Sequence, residues 1–150
     1  MLLSKACVYG IRASLFLAAR DAKGYISIRQ MGEKLDISPH FLTKILQQLT
    51  EDGLLESYKG PNGGVRLTRS GEEITIMEIV KAIDGDKLLT ECALGLPGCG
   101  VQKPCPIHEK WADAREGIRK MLEGTTLKEM AKKGKDLDLR LTADGGFDID

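Results

Sequence analysis

The sequence predicts a mainly α-helical fold with a small β-hairpin wing, a winged helix-turn-helix domain followed by one long helix suited to pairing subunits. Three observations carry this. Two amphipathic segments meet at a tight turn before Ser38-Pro39. Directly after them, a glycine-rich stretch, Gly60-Pro61-Asn62-Gly63-Gly64, separates two strand-like runs. Further on, Ile107, Trp111, Ala114, Ile118 and Met121 step by 4, 3, 4 and 3, the spacing of a helix-pairing seam.

The first helix covers Ser4 to Arg20, with Cys7, Ile11, Leu15 and Ala18 turned inward, and Gly24 closes it or the turn after it. Ser27 and Gln30 have the spacing of a capping box, in which each side chain satisfies the other's backbone donor. Ile28, Met31 and Leu35 then give a short second helix its buried stripe. Ser38 is the expected N-cap of the third helix, and Pro39 stands at its first position, where the missing N–H costs nothing. Leu42, Ile45, Leu46 and Leu49 form its apolar side and Gly53 its stop. Leu54 to Tyr58 and Val65 to Arg69 read as strands around the glycine-rich turn, where Asn62-Gly63 tolerates the positive φ of a tight hairpin.

A second capping box, Thr75 with Glu78, starts a helix with Ile76, Ile79, Val80 and Ile83 on one face and Gly85 at its end. Periodicity vanishes from Gly85 to Pro106, a stretch too long and too rich in Gly and Pro for a plain connection, hence disordered or functional. Helix returns at about Ile107. Its seam suits a second subunit, because a small winged domain is already filled. Thr126 and Glu129 cap a short last helix that stops at Gly134. The segment from Asp136 to Asp150 holds five Asp and one Arg and reads as a loose acidic tail, with Leu137, Leu139 and Leu141 at most adding an edge strand. Three segments result: 1–75, the reading domain; 76–134, loop and dimerisation helices; and 135–150, the tail.

Composition first argues against a nucleic-acid partner. The chain of 150 residues has 22 Lys plus Arg against 22 Asp plus Glu, and duplex binding needs cations for phosphates. The zero is a sum of two halves: residues 1–71 carry a net +4 and residues 72–150 a net −4. No apolar run approaches a membrane span and no export signal opens the chain, so a cytoplasmic protein without a membrane partner is expected.

On the third helix, His40, Thr43, Lys44 and Gln47 share the face opposite the apolar stripe, with Gln48 beside them and Ser38 at its start. These are donors and acceptors of the kind that read base edges and phosphates in the major groove. Lys59, Asn62, Gly63, Arg66 and Arg69 belong to the wing, where small residues let backbone and arginine approach a phosphate or the minor groove. Arg12 and Arg29 are candidate phosphate contacts or ordinary surface charges. One module of this size binds weakly, so a homodimer spanning two half-sites of a pseudo-palindromic operator is expected.

Four cysteines divide into Cys7 alone and Cys92, Cys99 and Cys105 together, with His108 three residues after the last. Structural zinc, a polynuclear iron-sulfur cluster and an air-oxidised disulfide are the open readings. Zinc sites favour pairs two to four residues apart, which are lacking here, and the wider C-x6-C-x5-C spacing suits a cluster. Cys7, small and on a helix face, is more often core than ligand.

The segments Leu3-Ser4-Lys5 through Tyr9-Gly10-Ile11-Arg12-Ala13, Ile37-Ser38-Pro39-His40-Phe41-Leu42 and Gly60-Pro61-Asn62-Gly63-Gly64-Val65-Arg66-Leu67, with the three-cysteine loop, resemble the Rrf2 transcriptional regulators over residues 1–134. The resemblance implies a homodimeric winged-helix DNA-binding protein whose long helix pairs subunits and whose cysteines hold an iron-sulfur cluster that senses iron-sulfur, redox or nitric oxide status. It is nearest the iron-sulfur cluster regulators, in which a histidine at the place of His108 completes a 2Fe-2S site. The nitric-oxide-sensing branch holds a 4Fe-4S cluster and uses an acidic residue early in the first helix, where this chain has Val8; its first cysteine gap, six residues, also departs from the five common among the cluster regulators. A 2Fe-2S cluster on Cys92, Cys99, Cys105 and His108 is therefore the expectation. The alternatives are a cluster-free repressor answering to thiol oxidation or a protein partner, and a zinc or thiol enzyme. Against the enzyme stands the lack of a base beside any cysteine except His108, and of any nucleotide or nucleophile motif.

Overall fold

The computed structural model describes residues 2–20, 24–100, 102–143, 145 and 147. Its elements are α1 (Lys5–Arg20), α2 (Ile28–Leu35), α3 (Pro39–Glu51), β1 (Leu55–Tyr58), β2 (Gly64–Leu67), α4 (Ile76–Asp84), α5 (Lys87–Thr90), α6 (His108–Gly124) and α7 (Leu127–Asp136). The mainly helical architecture with a two-stranded antiparallel hairpin is the one the sequence predicts.

Helix α1 is enclosed rather than one-sided, because α2, α3, α4, α7 and β2 all pack against it. Cys7, Gly10 and every residue from Ala13 to Leu17 are buried, whereas Ile11 and Ala18 are only half-buried. A helix apolar on most sides is a core helix, and Gly10 permits the closest approach: a Cβ there would stand 2.3 Å from Ile83 Cδ1 of α4. Ser4 caps the helix, accepting from Cys7 N at 3.0 Å, and Asp84 at the end of α4 accepts from Ser4 N at 2.9 Å.

In α2, the Ser27 side chain accepts from Gln30 N at 3.1 Å, but only this half of the expected box forms; the Gln30 amide lies against the Arg20 guanidinium. Asp36 then turns the chain in the left-handed region (φ 55°), which short acidic side chains tolerate. Pro39 opens α3 as expected, whereas the Ser38 hydroxyl makes no capping bond. The Ser38 carbonyl instead accepts from Leu42 N at 2.9 Å. Leu42, Ile45, Leu46 and Leu49 are all buried, each contributing ~1.5–3 kcal/mol by burial.

The hairpin pairs Leu55 with Leu67 and Tyr58 with Gly64. Its second strand ends earlier than expected, because Thr68 folds back, its hydroxyl donating to Gly53 O at 2.7 Å. The turn also differs. Gly63 N donates to Gly60 O at 3.0 Å, and neither Asn62 nor Gly63 has positive φ. Pro61, with its fixed φ at the second turn position, selects this geometry over the tight Asn-Gly turn. Ile26 adds a third extended piece: it exchanges two backbone bonds of 2.9 Å with Val65 and ties the wing base to the entry of α2.

The Thr75–Glu78 capping box forms in full at α4. At α7, Thr126 accepts from Glu129 N at 3.2 Å, and the helix continues through Gly134 to Asp136 instead of stopping there. Gly134 is a packing residue: the Phe147 ring lies where its Cβ would be, 2.3 Å from Cε2. Leu141 and Phe147 are buried, so the expected loose tail has two anchors. Among the described residues, Leu137, Leu139 and Leu141 form no strand.

Candidate nucleic-acid interface and cysteine site

His40, Thr43, Lys44, Gln47 and Gln48 are exposed on α3, as one turned-out face opposite the buried leucines requires. The Thr43 hydroxyl donates to Pro39 O at 2.7 Å, and Gln47 Nε2 contacts Glu51 Oε1 at 3.4 Å. A groove of about 690 Å³ runs between this face and the wing, with Thr43, Gln47 and Thr50 on one wall and Ser57, Tyr58 and Lys59 on the other. Lys59 and Asn62 are exposed on the wing, and Ser38 at the start of α3.

The candidate arginines all have partners within the chain. Arg29 pairs with Glu33 at 3.2 Å along α2. Arg66 pairs with Glu56 across the hairpin and lies 4.6 Å from the centre of the Tyr25 ring, which itself packs against Tyr58. Arg69 donates to Glu73 O at 3.0 Å and to Glu78 Oε1 at 2.7 Å, bracing the α4 cap. Exposed pairs of this kind are worth ~0–1 kcal/mol, little enough for a phosphate to displace the carboxylate.

Arg12 is different. Its Nη2 donates to Leu35 O at 2.9 Å and its Nε to Leu141 O at 3.1 Å, joining the end of α2 to the C-terminal segment. Replacing Arg12 by alanine is expected to lower unfolding stability by about 2 kcal/mol, because charged hydrogen bonds to carbonyls are lost. Denaturant titration reads that loss. The salt slope of DNA binding stays that of the wild type if the residue is structural, and becomes shallower if it contacts phosphate.

The cysteine loop follows Gly85 and lies along α5 and α6. Its three sulfurs are half-exposed free thiols. The Leu94 amide donates to Cys92 Sγ at 3.4 Å. That bond first, then the Leu96 amide and the Cys105 and Gly95 groups, holds the Cys92 thiol below its ordinary range. Cys99 Sγ stands 3.6 Å from His108 Nδ1 and 3.5 Å from Arg115 Nη1. Within the site, Cys99 and His108 stand together as one sulfur–imidazole pair. Among the described residues, no group of three or more His, Cys, Asp or Glu side chains is arranged to hold a single metal ion. Cys7 sits apart in the core, where burial first, and Asp84 second, push its thiol up to about 12.

Of the expected seam on α6, Ile107 and Met121 are 44% and 58% exposed, Ala114 is exposed, and Trp111 and Ile118 are half-buried. Leu122 alone is buried among the helix's residues. Trp111 also has a role that periodicity did not show: its indole Nε1 donates to Glu91 O at 3.1 Å.

A recognition helix set against a hairpin wing, with Ile26 bridging the wing base, defines a winged helix-turn-helix DNA-binding protein. The Rrf2 profile, described as an iron-dependent transcriptional regulator, matches residues 3–133, and the chain belongs to this family of DNA-binding transcriptional regulators. It is 30% identical to the HTH-type transcriptional regulator IscR of Pectobacterium carotovorum over 145 residues, 91% of this chain and 88% of the relative. Its fold is similar to that of CymR, the global cysteine regulator of B. subtilis, with a TM-score of 0.75 and 23% identity over 87% of this chain and 96% of the other. The T. potens IscR structure gives a TM-score of 0.73 at 22% identity, over 92% and 91%. Among the described residues no helix is long and apolar enough to cross a membrane.

Proposed function

We propose that the protein is a homodimeric repressor whose operator affinity is set by an iron-sulfur cluster held by Cys92, Cys99 and Cys105, with His108 as the fourth ligand and 2Fe-2S as the cluster type. The observation that carries this reading is the approach of His108 Nδ1 to Cys99 Sγ at 3.6 Å, which supports the histidine as a member of the sulfur site. The donor set fits. Three accessible thiols and an imidazole are the chemistry such a cluster takes, and backbone N–H groups around Cys92 favour the thiolate that binds iron. When bound, the cluster supplies a redox-active and chemically labile centre. The chain's own residues do the rest. Trp111 and Arg115 fasten Glu91, next to Cys92, to α6, and the exposed Ile107, Ala114 and Met121 are the part of the seam left for a second subunit, whereas Ile118 packs partly against the chain's own core. A signal at the loop then reaches the spacing of two recognition helices. Control requires the cluster to bind one arrangement of the dimer better than the other.

Cys7 is left out of the ligand set, because it is fully buried among core side chains. Val8 offers no donor at the start of α1, which favours the histidine-ligated type. Anaerobic purification with iron and sulfide analysis tests the reading. A brown protein with visible absorption and equal iron and sulfide supports it, and a colourless one carrying zinc or no metal refutes it.

For DNA, His40, Thr43, Lys44, Gln47 and Gln48 face the major groove, and Lys59, Asn62, Gly63, Arg66 and Arg69 approach the backbone beside it, with Arg29 and Ser38 at the edges. Lys44→Ala is expected to weaken the operator complex and to flatten its salt dependence by about 0.9 in log–log slope per protomer, the release of one phosphate contact. Titrations at several salt concentrations measure it. An unchanged slope would move the interface off this face.

A further inference from the structure

His108, Trp111 and Arg115 follow one another on α6 at spacings of three and four and therefore share a face. That face receives the cysteine loop. Trp111 Nε1 donates to Glu91 O at 3.1 Å; Arg115 Nη1 reaches the same carbonyl at 3.4 Å and Cys99 Sγ at 3.5 Å. Arg119, one turn further on, pairs instead with Glu116 at 3.4 Å and Glu123 at 3.8 Å, the ordinary arrangement of an arginine on a solvated helix.

We propose that Arg115 is a positioning residue of the cysteine site, with one guanidinium nitrogen shared between the carbonyl beside Cys92 and the sulfur of Cys99, holding both ligand positions against α6. This rests on the cluster reading above. Its physical content is twofold. A single donor nitrogen bridging residues 91 and 99 fixes the two ends of a segment rich in Gly and Pro, whose chain entropy otherwise separates them. A cation donating a hydrogen bond to a ligand sulfur also offsets the negative charge that the cluster gains on reduction, so it raises the reduction potential.

The test compares wild type, Arg115→Lys and Arg115→Leu. One readout is the midpoint potential of the anaerobically purified protein, with the electron supplied by an electrode. The other is amide hydrogen exchange across residues 91–105 in the cluster-free protein. Arg115→Leu is expected to move the reduction equilibrium roughly tenfold towards the oxidised form, about 59 mV more negative for one electron, as loss of one charged hydrogen bond implies. It also exchanges faster across the loop. Arg115→Lys keeps the charge and recovers part of the potential but not the loop protection, because its ammonium sits on a stem one bond shorter than the reach of Nη1 and does not span both acceptors. Wild-type potential and wild-type exchange in Arg115→Leu would overturn the proposal. A wild-type protein that takes up no cluster refutes the parent reading instead, and the exchange data then decide alone whether Arg115 positions the loop.

Discussion

Gly63→Val is expected to abolish tight operator binding while leaving the helical core folded. A Cβ at this position would stand 2.3 Å from Tyr58 O and 3.0 Å from Gly60 N and O. All three are backbone atoms of the hairpin, so none swings aside as a side-chain tip does. Overpacking of this order costs about 1–3 kcal/mol. The wing base is held in the core by Leu55 and Val65 while Lys59 and Asn62 near the turn are exposed, so the least costly relief is to open the turn and displace Lys59 and Asn62. Displacement by an ångström or more removes wing contacts, and a loss of affinity of at least roughly tenfold follows from about 1.4 kcal/mol. Operator titration measures it, and a denaturation transition that stays cooperative and is lowered by no more than the ~1–3 kcal/mol of overpacking separates a lost wing from a lost fold. Normal affinity in Gly63→Val would remove the wing from the interface.

Cys99→Ala carries the second large effect. Cys99 Sγ stands 3.6 Å from His108 Nδ1 and 3.5 Å from Arg115 Nη1, and its removal leaves the proposed site with two thiols and takes away the sulfur that His108 faces. The variant is expected to purify without visible absorption under conditions that give a coloured wild type. Its stability without the cluster stays within about 0.5 kcal/mol of the wild type, because a half-exposed loop thiol packs against little. Cys7→Ala behaves in the opposite way. It keeps the colour and loses stability, since Cys7 is fully buried among core side chains. Colour retained in Cys99→Ala, or lost in Cys7→Ala, would reverse the assignment of ligand and spectator.

What was legible in the sequence was what is local. The stripe Leu42, Ile45, Leu46 and Leu49, Pro39 at the first position of α3, and the Thr75–Glu78 box depend on neighbours within one or two turns, and each forms. The wing turn departs from the sequence expectation because two local signals compete. Asn62-Gly63 suggested positive φ, and Pro61 one position earlier decided otherwise. Gly134 read as a helix stop for the same reason: a glycine that ends a helix and one that makes room for an aromatic ring look alike until Phe147 is placed. The pairing of Arg12 with Leu141, 129 positions away, had no sequence signal. Arg115 does carry a signal in the sequence. It lies seven residues after His108 and four after Trp111, on the side of α6 that any loop ligated by His108 must approach.

One titration reads directly whether cluster state sets operator affinity. The anaerobic, coloured wild-type protein is titrated onto its operator, the cluster is removed from the same preparation, and the titration is repeated at the same salt concentration. The two affinities are expected to differ by at least roughly fivefold, the lower end of ordinary coupling between two sites. Equal affinities for the two forms, each remaining a folded dimer, would contradict it.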